Sequence, residues 1–420
     1  MQKMRFIFFI QFVVLVSAGQ KIASFTVQMP IETHGLAVPA SIDLDSLTQL
    51  PLSSLTLVEI AGNTITIVPC QASTGKPRRL YWIISPQQEL LTRTYQLTKT
   101  VPPVFNNVEL INDKNKLTFR ADSKNLLSYQ FQTIYPPPGI DTNYKRSGFI
   151  HPLFTPHGQE LTRIQPPDHY HHYGIWNPWT HTFFENDTID FWNIKERQGT
   201  VRFAKFTSLL KGPVYAEFEA LHEHVIFKKE ARPDDPVGRG SEKIALNELQ
   251  TVRVYHPEVN SDYYIVDIIS KMSCATQSPL LIVNYRYDGL VWRAAEFWDK
   301  NNSEMLTSEG KTRDHTDGTK AKWIITDGAL PGNDHGGIVM LSHPSNYNHP
   351  EPLRIWDKKA NSGRGDVFVN FAPTKDKDWL LEPGKTYILK YRLIVFNGKF
   401  DAAKAESEWQ YFAKPVEIKR

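Results

Sequence analysis

Six of the chain's fourteen histidines lie between His151 and His181, in the stretch HPLFTPHGQELTRIQPPDHYHHYGIWNPWTH. Imidazole exchanges a proton near neutral pH and is the commonest metal ligand, so such a cluster can do acid–base or metal chemistry. It is interleaved with Tyr170, Tyr173, Trp176 and Trp179, rings that suit the apolar C–H face of a pyranose. Within the block, His171, His172 and Asp168 are the expected catalytic groups. A histidine would serve as general acid, and the carboxylate would orient an imidazole through its second nitrogen. His151 and Trp176 are the expected substrate contacts, Trp176 as a stacking platform.

A second set lies further along the chain. Arg293 ends the strand text LLIVNYRYDGLVWR, Glu309 sits in the loop SEG, and His343, Asn346 and His349 belong to SHPSNYNHP. Arginine, asparagine and histidine together could clamp hydroxyls or a carboxylate. Glu309 is the candidate carboxylate base, and an ion pair with Glu296 is the competing role for Arg293. An acid–base mechanism requires the two sets to meet around one hollow. A divalent cation could be held by Asp168, His169 and His171, or by His151 with His171 and His172. No HExxH spacing supports it, and no other cofactor is implied. Cys70 and Cys274 are the only cysteines. They fit either a disulfide or two free thiols, and they lack the paired spacing of a zinc-thiolate site.

The elements that must position these groups read as strands. From Lys21 to about Thr100, short Val/Ile/Thr/Tyr-rich segments alternate with Pro, Gly and Asn, the pattern of a small antiparallel sandwich. VPPVFNN (Val101 to Asn107) reads as the boundary. Beyond it about a dozen β-patterned segments follow, among them VYAEFEALHEHVIF and YYIVDIISKMS. Helix text is confined to a short ELTRI and to DAAKAESEWQYFA (Asp401 to Ala413), which opens on an Asp N-cap. KKEARPDDPVGRGSEK (Lys228 to Lys243) has no apolar period and reads as a solvated loop. The expected fold is all-β, with residues 20–105 forming a small β-sandwich and residues 106–420 a large antiparallel one.

Residues 1–18 read as a signal peptide. Lys3 and Arg5 precede the apolar run Phe6 to Val16, and Val16-Ser17-Ala18 supplies the cleavage pattern. The run is shorter than the roughly 20 residues of a membrane span. The mature chain is therefore expected to be exported, periplasmic or secreted, without a membrane span. A net charge of +3 from 48 basic and 45 acidic residues gives no stripe for nucleic acid.

Several motifs resemble the PmoA-like family of exported bacterial proteins. They include His151-Pro152, Thr155-Pro156-x-Gly158, Asp168-x-x-His171-His172-x-Gly174-x-Trp176, Asp190-Phe191-Trp192, Gly289-Leu290-x-x-Arg293, Ser308-Glu309-Gly310 and His343-Pro344-x-Asn346. The resemblance covers roughly Leu110 to the C-terminus. It implies a β-supersandwich of the galactose-mutarotase type and a setting in carbohydrate utilisation. The family's methane-oxygenase label does not carry over, because that enzyme spans the membrane and no later segment here approaches span length. Tyr170 and Tyr173 stand where the family text has Pro and Arg, so the cation that would favour an acidic sugar is missing. The leading expectation is a carbohydrate-active enzyme: a glycoside hydrolase, lyase or epimerase using His/carboxylate chemistry on a carbohydrate substrate. A non-catalytic glycan-binding protein and a metal-dependent hydrolase are the alternatives.

Overall fold

The computed structural model describes residues 19–29, 32–86, 91–227, 242–258 and 261–420. The expected signal peptide lies outside them, as do positions 228–241 of the expected loop. Glu242 and Lys243, its last two residues, already belong to the strand Glu242–Tyr255.

Strand pairings among the described residues are antiparallel throughout. The period-2 text explains them: Val38–Asp43 and Thr92–Lys99 largely alternate buried and partly exposed side chains, so one face of each strand meets a core. A five-stranded and a three-stranded sheet form the small sandwich around Phe25, Leu57, Trp82 and Tyr95. The last strand of the chain, Glu417–Lys419, pairs with Gln20–Gln28 and so completes that first sandwich.

The large sandwich faces a nine-stranded sheet against an eight-stranded one, with a four-stranded sheet beside them. Leu127, Ile150, Trp292 and Val369 of the nine-stranded sheet share one core with Phe218, Val252, Val266 and Leu393 of the eight-stranded sheet. Asp334–Ser342 and Tyr387–Asn397 are buried along nearly their whole length. The helix Ala402–Ala413 packs Trp409 and Phe412 over the outer face of these strands. Asp401 caps that helix through the Lys404 amide, as the sequence leads one to expect. ELTRI makes isolated bridges instead of a helix. Cys70 and Cys274 are both free thiols. The expectation of an all-β chain, a large sandwich preceded by a small one, holds.

Two glycines make the centre of the nine-stranded sheet buildable. Gly174 has φ +53° and Gly289 φ +68°. A Cβ at Gly174 would lie 2.2 Å from the Ile150 carbonyl oxygen, and one at Gly289 would lie 2.6 Å from that of Phe371. Each glycine lets the chain turn into its strand, Ile175–Trp176 and Leu290–Arg293, while pressed against a neighbour.

Candidate functional site

Arg293 ends the central strand Leu290–Arg293, with Ile175–Trp176 on one side and Phe368–Phe371 on the other. The loop that precedes Ile175 is wound by two turns. The His169 amide donates to the Pro166 carbonyl at 2.8 Å, and the His172 amide to the His169 carbonyl at 3.0 Å. Pro166-Pro167 fixes the entry to the first turn. The second gathers three imidazoles, with ring centroids 4.7 Å apart for His169–His172, 4.7 Å for His171–His172 and 5.4 Å for His169–His171.

Here the Asp168 carboxylate accepts from His169 Nδ1 at 2.7 Å and from Arg293 Nη2 at 3.0 Å. Burial would raise its pKa, but the His169 hydrogen bond and the Arg293 charge outweigh that and hold it at about 2. Arg293 is 1% exposed. It also pairs with Asp366 at 3.3 Å and lies 4.6 Å over the Trp356 ring. Glu296, offered by the sequence as its partner, instead pairs with Arg163 at 3.0 Å. The carboxylate thus orients His169, whose Nε2 has no hydrogen-bond partner among the described residues. An Asp–His pair of this kind fixes the tautomer and leaves the second nitrogen to accept a proton.

The other expected groups are distributed differently. His171 is partly shielded, and burial together with the neighbouring His169 lowers its pKa to about 4. His172 is 2% exposed, ringed by Trp176, Trp192, Trp356 and Phe368. Burial drives its pKa well below the usual imidazole value. The expectation that it is a catalytic group meets a ring enclosed by aromatic packing, with no face turned to the surface. Trp176, at 1% exposure, is likewise core and offers no stacking face.

The second set does not join the first as expected. Only Arg293 reaches the histidines. Glu309 is exposed after the edge strand Ser303–Thr307 and contacts Ser308. His343 bonds Ser345 at 2.7 Å and faces Phe412 of the helix. Asn346 is buried, donating to Glu351 at 2.7 Å and to the Lys390 carbonyl at 2.8 Å. Glu309 thus lies at the edge of the eight-stranded sheet, while His343 and Asn346 follow Asp334–Ser342, His343 against the helix and Asn346 with buried Glu351. Among the described residues no group of three His, Cys, Asp or Glu side chains is placed to hold a metal ion.

An open cleft of about 490 Å³ runs beside the histidine loop, within the size range of small-ligand sites. His151, Glu160, Arg163, Gln165 and Glu296 supply its polar groups, and Phe297 and the two prolines its apolar wall. Pro167, which lines the cleft, directly precedes Asp168 in the chain, while the Asp168 and His169 side chains are not part of the lining. His151 Nδ1 meets Thr162 Oγ1 at 3.0 Å and Glu160 Oε1 at 3.4 Å. Burial, with Lys116 nearby, takes His151 down to about 4 and keeps it neutral. Burial raises Glu160. His151 thus stands in the cleft wall, where a substrate contact was expected. The sequence reading passed over Glu160, although it lies inside the quoted block, and gave His169 only a metal-ligating role.

A family model described as a family of unknown function, DUF6807, matches residues 116–410, well over half of the chain. The chain belongs to the DUF6807 family. The DUF6807 match opens on the strand Lys116–Ala121 and closes inside the helix, so it takes in the large sandwich and every group of the candidate site. No curated protein matches the chain. Among solved structures, an alpha-mannosidase from Enterococcus faecalis V583 is 8% identical, with 96% of this chain and 47% of that chain covered at a TM-score of 0.45. A heparan sulfate lyase HepC mutant from Pedobacter heparinus is 12% identical, with 72% and 38% covered at 0.33. The DUF6807 chain therefore spans less than half the length of either, and both likenesses are remote.

Proposed function

We propose that the protein is an exported carbohydrate-active enzyme working from the cleft beside the histidine loop. The carrying observation is the Asp168–His169 pair, held by buried Arg293, in a loop whose Pro166 and Pro167 line the cleft that also holds a second His/carboxylate pair, His151 and Glu160. His169 Nε2 is the proton acceptor. Glu160, 3.4 Å from His151 in the cleft wall and with its pKa raised by burial, is the proposed acid partner. General acid–base catalysis needs such a division between two groups whose environments differ.

A sugar suits the cleft for two reasons. Its lining combines His151 and Thr162 with acidic Glu160, while Phe297 and the prolines offer C–H contact. Arg163 is already paired with Glu296, so the cleft has no unmatched cation for an acidic sugar. The resemblance to exported, sandwich-type carbohydrate-utilisation proteins points the same way.

The test is incubation of purified protein with a panel of neutral oligosaccharides, with and without chelator, reading products by mass and by reducing ends. The expected outcome is chelator-insensitive turnover of at least one sugar, lost in His169→Ala and Glu160→Gln. Turnover that survives both substitutions contradicts the assignment, as does a panel on which nothing reacts.

A further inference from the structure

A second cleft, about 620 Å³, lies where the small sandwich meets the large one. Its two walls are held at a fixed spacing. Gln71 Oε1 of the small sandwich accepts from the Val214 and Tyr215 amides at 3.2 Å each. Tyr81 packs on Tyr215 at 5.3 Å, and the Ala37 amide donates to the Tyr263 hydroxyl at 2.6 Å. Val214, Tyr215, Tyr255 and Ile265 form a small buried core at this junction. The cleft is therefore preformed, and domain junctions are a preferred place for ligand sites.

Its chemistry is mixed. Phe105, Ile83, Pro213 and Pro257 give stiff apolar surface. Between them stand Asn106, joined to Asp122 at 3.1 Å, and Glu258. His256 Nδ1 is engaged by the Pro257 carbonyl at 2.7 Å, but its Nε2 is buried with no partner. An unmet buried nitrogen costs stability, so a turn of the ring that brings Nε2 to a ligand hydroxyl would be rewarded. Glu59 is neutralised by Arg93. None of the described residues lining the cleft is Lys or Arg, which leaves Asp122 and Glu258 to repel anions. Apolar C–H faces and hydroxyls, without negative charge, describe an uncharged sugar chain.

We infer that this junction is a second, non-catalytic binding site for a neutral oligosaccharide, gripped between Phe105 and His256. It shares with the proposed activity only the sugar chemistry and needs neither His169 nor Glu160. A rival occupant is a basic peptide, which could add to the edge strand Thr64–Val68 and pair with the same carboxylates.

Calorimetric titration of the full chain with cello-, xylo-, manno- and β-1,3-gluco-oligosaccharides, each as tetra- to hexasaccharides, tests this. The expected result is binding of at least one, weakened about tenfold or more in both Phe105→Ala and His256→Ala. Binding should be unchanged in His169→Ala, and any turnover unchanged in Phe105→Ala. Circular dichroism melts confirm that each variant is folded, and Phe105→Leu serves if Phe105→Ala is not. The inference is overturned if no oligosaccharide binds, if binding is lost in His169→Ala but kept in Phe105→Ala, or if only an Arg/Lys peptide binds. Loss of turnover in His169→Ala with junction binding retained separates the two sites, so either can fail alone.

Discussion

Two clusters in this molecule are built from the same residue types and differ in everything else. At the end of the nine-stranded sheet, Asp168 and His169 have side chains 23% and 31% exposed. In the interior, Glu248 is 0% exposed. It accepts from His224 Nε2 at 3.1 Å, Ser270 Oγ at 2.6 Å and Asn177 Nδ2 at 3.0 Å. His222 stands 3.9 Å away and meets Tyr129 of the opposite sheet through its other nitrogen. Burial would raise the Glu248 pKa, yet the His224 hydrogen bond and the His222 contact win and hold it at about 2. Every valence of that carboxylate is spent on the fold. Asp168 spends its own on aiming one imidazole whose far nitrogen stays open. What separates the two clusters is thus a hydrogen-bonding valence left unused near the surface, the feature on which the proposed function rests.

The contrast is broken most forcefully from the inside. Glu248→Ala strands three buried donors, and removing one partner of such a network typically costs about 3–5 kcal/mol. Chemical denaturation should show a loss of that order, or no folded protein, whereas His169→Ala should stay within about 1 kcal/mol of the parent. The second effect runs the other way. His169→Ala should lower turnover by roughly 10²–10⁴-fold with its melt preserved, as steady-state rates and a thermal scan would show.

A pH experiment sharpens the interior half. Glu351 is fully enclosed, and burial, partly offset by bonds from Ser342, Asn346 and Tyr391, raises it from 4.5 to about 7. Its folded pKa exceeds its unfolded one, so its contribution is complete below pH 4.5 and is lost as pH rises through about 7. Glu351→Gln should therefore be near-neutral at pH 5 and relatively stabilising above pH 7, by about 3 kcal/mol at most. Unfolding curves of both proteins across that range give the difference directly. His222 works in the opposite sense. Burial takes it from 6.5 to about 4, so its neutral form supports the fold above pH 6.5 and that support drains away as pH falls towards 4. The smallest effect belongs to Glu309→Gln, exposed and outside the cleft, which should leave rate and stability unchanged in the same assays.

Much of this was legible in the sequence. Alternating Val, Ile, Thr and Tyr announced strands, and Asp401 followed by Ala-Ala-Lys-Ala announced the helix Ala402–Ala413, because both periodicities are local. The histidine block declared itself by density. Its internal roles did not, because they turn on which ring faces solvent. His172 and His169 are three residues apart in one loop, and the packing of Trp176, Trp192 and Phe368 on the first decides that it is enclosed. The pairing of Arg293 with Asp168 spans 125 residues, beyond any local pattern. His222 and His224 carried a readable sign, two imidazoles at period 2 in a strand and hence on one face. Their partner Glu248 lies directly opposite His222 on the neighbouring strand, a register that no single segment announces. The same distance effect separated Glu309, His343 and Asn346 from the site: each sits in promising loop text, yet Glu309 lies at the edge of the eight-stranded sheet, His343 against the helix and Asn346 beside buried Glu351.

Histidine acylation with diethyl pyrocarbonate, mapped by mass spectrometry against residual turnover, tests most directly that the open Asp–His pair does the work. Modification of His169 should come early, track the loss of turnover and be slowed by substrate, while His172, His222 and His224 stay unmodified in the folded protein. Full turnover with His169 quantitatively acylated would contradict the account.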